Sequence, residues 1–81
     1  METRYFYIKD ENKYGKRENG ADYIFSDGKW IIDSEHLISD RLIGYDPYED
    51  DDSPYKIGNT SIMDQIREIS EKEIRKILKL N

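Results

Sequence analysis

The sequence predicts an α+β fold: a three-stranded antiparallel meander followed by a short helix, an acidic loop and one or two C-terminal helices packed on the sheet. Three observations carry that expectation. Aromatic and β-branched runs at residues 5–8, 23–25 and 30–32 read as strands, and Asp27-Gly28 joins the last two. Leu37, Ile38, Leu42 and Ile43 share one helical face and are followed at once by Gly44. Ser70-Glu71-Lys72-Glu73 has the spacing of a capping box, in which the serine hydroxyl accepts from the backbone three residues on.

Residues 1–33 form the predicted meander. In the first run Phe6 and Ile8 alternate with Tyr5 and Tyr7, so both faces of the strand are apolar. Tyr23 and Phe25 oppose Ile24 in the second run, and Trp30 and Ile32 oppose Ile31 in the third. Asp27-Gly28 supplies the two positive-φ positions of a tight hairpin turn. The connection from Asp10 to Ala21 carries Lys13, Lys16 and Arg17 beside Gly15 and Gly20, and is expected to be a mobile loop. Residues 34–43 form a helix that Asp33 or Ser34 can cap and that Gly44 ends.

Residues 44–59 are an acidic Tyr/Pro loop in which Asp46-Pro47-Tyr48 and Ser53-Pro54-Tyr55 echo each other. Each proline follows a capping residue, so the loop is expected to be compact, with Asp46, Pro47 and Glu49 starting one helical turn. Residues 60–80 read as helical. Ile62, Met63, Ile66 and Ile69 recur at spacings of three and four, and the box at Ser70 opens a second short helix bearing Ile74, Ile77 and Leu78. Arg75, Lys76 and Lys79 put positive charge at the negative end of its dipole. All of this is read as one small domain, residues 1–81.

A chain this short buries only about 60% of the surface its unfolded form exposes, so its core is small. With no cysteine, neither a disulfide nor a thiolate metal site supplements that core. No apolar run approaches the roughly 20 residues a bilayer crossing needs, and the start METRYFYIKD lacks a signal-peptide pattern. A cytoplasmic protein with no membrane partner is therefore expected.

The net charge of −5 is unevenly placed. Residues 1–30 hold six basic and six acidic side chains, and residues 61–81 hold five and four. Residues 31–60 hold only Arg41 and Lys56 against eight acidic side chains. Such a field repels phosphate backbones and attracts a basic partner, which argues against direct nucleic-acid binding.

The chemistry-bearing residues form no catalytic constellation. The run Glu49-Asp50-Asp51-Asp52 has the composition of a cation site, but a calcium loop begun at Asp50 meets Pro54 and Tyr55 where it needs ligands and a glycine, and Ser61 where it needs an acid. It reads as a solvated charge run, so no metal or other cofactor is expected. His36 is the single histidine, no nucleophile elbow accompanies it, and it reads as structural or merely solvated. No glycine-rich phosphate loop is present.

The aromatic residues carry the functional reading. The second face of the sheet needs a cover, supplied either by Tyr45, Tyr48 and Tyr55 of the acidic loop or by a second copy of the chain. The expected partner-binding surface is Tyr45, Asp46, Tyr48, Glu49, Asp50, Asp51, Asp52 and Tyr55, since tyrosine is enriched in binding hot spots and an acidic rim selects a basic partner. The chain is thus read as a non-enzymatic protein-interaction module that binds a partner with a basic surface or itself. In its specific form it is an inhibitor or immunity-type antagonist of a nucleic-acid-binding protein. A structural homodimer is the alternative, and an enzyme or cation-binding protein acting through the acidic loop a third. Size, acidity and an Ile-, Lys- and Tyr-rich composition suit a small accessory protein of the bacterial or phage kind.

Overall fold

Strand-forming segments occupy the first 32 residues almost without interruption in the computed structural model, which describes residues 2–79. They are β1 (Arg4–Ile8), β2 (Lys13–Glu18), β3 (Ala21–Ser26) and β4 (Lys29–Ile32). There follow α1 (Leu37–Ile43), the acidic loop, α2 (Thr60–Met63), β5 (Ile66–Ile69) and α3 (Glu71–Leu78). The result is an α+β fold whose five strands form one antiparallel sheet in the order β4-β3-β2-β1-β5.

Two elements correct the sequence reading. The segment expected to be a mobile loop between Asp10 and Ala21 is strand β2 with a turn on each side. It lacks an apolar alternation because Gly15 is buried under α1, Arg17 is paired with Asp22, and Lys16 lies over aromatic rings. Residues 60–80 are not continuously helical either: α2 is one turn, and Ile66 to Ile69 is a strand on the outer side of β1. A spacing of three places Ile66 and Ile69 on opposite faces of that strand, and two apolar layers use one each. Leu80, in the predicted helical stretch, lies outside the described residues.

Register defines the two faces. Phe6 sits opposite Gly15, Gly15 opposite Ile24 and Ile24 opposite Ile31, so all four lie on one side of the sheet. Here Ile38 of α1 completes a core of Phe6, Ile8 and Ile24, with Leu37, Leu42 and Ile66 packed around it. Gly15 makes this possible: a Cβ there would stand 2.7 Å from Ile38 Cδ1 and 3.1 Å from the Tyr23 carbonyl oxygen. The other face carries Ile69, opposite Tyr5, and Arg67, opposite Tyr7. Arg67 pairs with Glu73 of α3, which brings α3 with its buried Ile74 to this side. Of the expected layout, helices on one face and the other face covered by the loop or by a second copy, the first part is corrected: α1 lies on one face and α3 on the other.

The caps follow the sequence more closely. Asp27 and Gly28 take φ of 51° and 80° in the β3–β4 turn. The helix expected over residues 34–43 begins only at Leu37, with His36 in the cap position and no side-chain bond from it. Asp33, three residues before that position, serves the first turn instead, its two carboxylate oxygens accepting from the Leu37 and Ile38 N–H groups at 3.0 and 2.9 Å. These bonds compensate the burial of the carboxylate, which is only 6% exposed. Ser70 Oγ accepts from Glu73 N–H at 3.1 Å to start α3.

Paired guanidinium and carboxylate groups tie the elements together. Asp22 accepts from Arg17 Nε at 2.7 Å, from Arg17 Nη2 at 3.0 Å and from Ser39 Oγ at 3.1 Å, joining β2, β3 and α1. Hydrogen bonding from Arg17 outweighs burial and holds the Asp22 carboxyl below the usual aspartate range. Arg41 does the same for Asp10, and Arg4 for Glu68.

Two tests follow from this packing. Gly15→Val should destabilise the fold by about 2 kcal/mol or more, because its side chain would collide with the fully buried Ile38 while the Tyr23 carbonyl stands close beside it, whereas Gly20→Ala meets no neighbouring atom and strains only its turn. Denaturant midpoints for both variants check this, and equal costs would contradict it. The depressed Asp22 pKa contributes stability that is complete above the unfolded value of about 3.9 and is lost as pH falls through the folded value. Asp22→Asn should therefore be less stable than wild type by about 1–2 kcal/mol at neutral pH, and the gap should close below about pH 4. A gap independent of pH in urea unfolding from neutral to acid would refute the assignment.

Candidate functional site

The acidic loop begins where α1 is forced to stop. Gly44 takes φ of 68°, and a Cβ on it would lie 2.6 Å from the Asn59 nitrogen, so the two ends of the loop are in backbone contact. Gly58 N–H donates to the Ile43 carbonyl at 2.7 Å, Asn59 N–H to the Gly44 carbonyl at 3.0 Å and Asp46 N–H to the Lys56 carbonyl at 2.8 Å. These bonds make a closed neck. Asn59 secures it from below, accepting from the Ser61 and Ile62 N–H groups to cap α2 while its amide donates to Asp46 at 3.4 Å.

Inside the neck the sequence echo becomes a structural one. Tyr48 N–H donates to Asp46 Oδ1 at 3.0 Å and Tyr55 N–H to Ser53 Oγ at 3.1 Å, so each proline sits in a turn closed by the residue before it. The helical turn expected from Asp46 is a hydrogen-bonded turn only, with Glu49 N–H on the Asp46 carbonyl at 3.3 Å. Lys56 braces the centre. Its ammonium donates to the Glu49 carbonyl at 2.8 Å, lies 3.4 Å from Asp51 Oδ1 and stands 4.9 Å from the centre of the Tyr45 ring. Burial opposes this charge, but Tyr45 and Asp51 outweigh it and hold the ammonium above its ordinary pKa.

The predicted site residues thus divide by role. Tyr45, Asp46 and Glu49 are half-buried braces of the loop itself. Asp50, Asp51 and Asp52 are exposed between Tyr48 and Tyr55, whose side chains are 95% and 72% exposed. Neither exposed tyrosine covers the sheet. Counting Asp46, Glu49, Asp50, Asp51 and Asp52 against Lys56, the loop carries −4, most of the net charge of the chain. Beneath Tyr48 a groove runs between the base of the loop and α2, bordered by Arg41, Tyr45, Pro47 and Gln65.

Other candidate chemistry lies elsewhere. Among the described residues no three of His, Asp and Glu converge as metal ligands. His36 is exposed at the start of α1 with φ of 57°, and its side chain does not bond the helix. Sequence reading missed Lys16, which lies 5.3 Å from the Tyr23 ring and 5.0 Å from the Trp30 ring on the α3 side of the sheet. Around it Trp30 packs edge-on against Phe25 at 5.0 Å and obliquely against Tyr5 at 6.2 Å. The available signal was Asn19-Gly20, a dipeptide of the same hairpin type as Asp27-Gly28. Among the described residues no helix is long and apolar enough to cross a membrane. Comparisons with protein-family models, curated proteins and solved structures find no match.

Lys56 is the test of the brace. Lys56→Ala should leave the denaturation midpoint close to that of wild type, since the loop contributes nothing to the buried core, yet should speed proteolysis within residues 46–55. Limited proteolysis with mass mapping measures both sites and rates; unchanged cleavage would mean that the loop holds its shape without the lysine.

Proposed function

We propose that this chain is a non-enzymatic protein-interaction module whose loop 44–59 engages a partner with a basic surface. One observation carries the reading: Tyr48 stands almost wholly and Tyr55 largely in solvent on a hydrogen-bonded loop, with Asp50, Asp51 and Asp52 between them. Large aromatic side chains that exposed gain the most from a partner that buries them. Because the neck and Lys56 already order the loop, little conformational entropy is lost on binding. The adjoining carboxylates steer a cationic partner and repel phosphate, so the specific form of the proposal is an antagonist that occupies the basic site of a nucleic-acid-binding protein.

Association should weaken as salt rises from roughly 0.05 to 0.5 M, because exposed charges are screened over about 10 Å at 0.1 M. On a partner captured from native lysate, replacing Asp50, Asp51 and Asp52 together by Asn should slow association about tenfold or more, while Tyr48→Ala or Tyr55→Ala should mainly speed dissociation, at about 1–2 kcal/mol each. Surface-based binding kinetics reads the two rates separately, with circular dichroism confirming the fold of each variant. Wild-type kinetics in all of these variants would place the interface elsewhere.

A further inference from the structure

The two edges of the sheet are finished differently. At the centre of β5, Arg67 and Glu68 are charged and exposed, and each is already paired, with Glu73 and Arg4 respectively. Charged side chains at the centre of an edge disfavour a docking strand. At the opposite edge β4 presents Trp30, Ile31 and Ile32, with Ile31 43% and Ile32 61% exposed on opposite faces. Natural edge strands are guarded by short length, by charges, lysine above all, and by proline, bulges or a cover. β4 has two of these, its length of four residues and Lys29 at its start, but its other three positions are apolar and among the described residues no strand pairs with its outer side.

Hydrogen-bond phase fixes how this edge can be used. Asp33 N–H donates inward to the Asp22 carbonyl at 2.9 Å, and Ile31, two residues earlier, shares that phase opposite Ile24. Trp30 and Ile32 consequently turn their backbone groups outward. The Ile32 carbonyl accepts from Ser34 N–H at 3.0 Å and keeps a second lone pair.

We infer that β4 is a dimerisation edge, pairing antiparallel with β4 of a second copy about a two-fold axis between the two Ile31 residues. In this register Trp30 exchanges backbone hydrogen bonds with Ile32 of the second copy, and the symmetry repeats the exchange. The two Ile31 side chains meet in the close, non-hydrogen-bonded position, next to a groove lined by Ile24 and Leu37 together with Lys13 and Glu35. Sliding the partner by two residues instead sets Ile32 against the turn residue Gly28, or Trp30 against Ser34. Charge agrees with the register: Lys29 at one end of each strand meets the other strand at Asp33, close to the exposed Glu35. An identical strand is the occupant that matches this edge in hydrogen-bond phase, in apolar side chains on both faces and in end charges together. The inference stands independently of the role proposed for the loop.

Sedimentation equilibrium over about a thousandfold range of concentration should show the mass rising to twice that of the chain. Ile31→Lys sets two ammonium groups against each other and should leave a monomer, while Ile57→Lys, exposed on the loop, should dimerise like wild type. Because the chain has no cysteine, single-cysteine variants read the register even if Ile31→Lys fails to fold. Ile31→Cys should oxidise to a covalent dimer at least tenfold faster than Ile57→Cys, since cross-strand Cα atoms at that position lie about 4.5 Å apart. A wild type monomeric throughout, dimerisation of folded Ile31→Lys, or equal oxidation of the two cysteine variants would each overturn the inference.

Discussion

The missing side chain of Gly15 sets the distance between the sheet and the first helix, and much of the molecule is hung from that distance. α1 has seven residues, too few to be stable alone, so it exists because Ile38 is fully buried over Gly15 and because Asp33 closes its first turn. Arg41 then clamps its far end to Asp10 in the β1–β2 turn, at 2.9 and 2.8 Å. Gly44 follows directly, so wherever α1 sits, the neck of the acidic loop sits with it. A core residue in the middle of the sheet therefore controls a surface feature on the other side of the helix.

Charge is organised on the same plan. The sheet and α1 neutralise themselves through forked arginine pairs, Arg4 with Glu68, Arg17 with Asp22 and Arg41 with Asp10. Exposed pairs of this kind contribute only about 0–1 kcal/mol each, so Arg4 with Glu68 acts mainly to fix the register of β5, while the more enclosed Arg17 and Asp22 hold α1 through Ser39. In the loop the single cation is spent inward: Lys56 faces the Glu49 carbonyl and the Tyr45 ring. Asp50 and Asp52 are left facing solvent, and Asp51 is 96% exposed despite its contact with Lys56. Most of the net charge of the molecule is thus a local field on the loop.

What could be read from the sequence was whatever local chemistry decides. The Asp27-Gly28 turn, the Gly44 stop, the Ser70 cap and the paired Pro turns of the loop all depend on residues within four positions of each other. Tertiary contacts decided the rest. β2 is a strand because Gly15 faces Ile38 and Arg17 faces Asp22, partners that no window around residue 15 contains. β5 looked helical because a strand between two apolar layers can carry isoleucine at a spacing of three. The cover of the second face, expected from the tyrosine loop or a second copy, comes in part from α3, since pairing β5 beside β1 carries the following helix to that side. Within the loop, exposure separated Tyr48 and Tyr55 from Tyr45, a distinction that composition cannot make.

The aromatic groups of the sheet and those of the loop call for different explanations. Tyr5, Tyr23, Phe25 and Trp30 are half-buried and pack on one another and on Lys16, so they already gain most of what burial offers. Tyr48 gains almost nothing and Tyr55 only a little in the free protein, and full burial against a partner would stabilise each by up to about 1.5–3 kcal/mol. That difference is what makes the loop, and not the aromatic face, the stronger candidate for a partner of different sequence. The position of α1 also keeps the loop clear of the β4 edge. Leu37 at the start of the helix lines the groove beside Ile31, whereas Arg41 at its end reaches Asp10 near the loop. Pairing through β4 would leave both loops free, and a dimer carrying two such loops binds a partner with two basic sites more tightly than either loop alone, provided the sites match their separation.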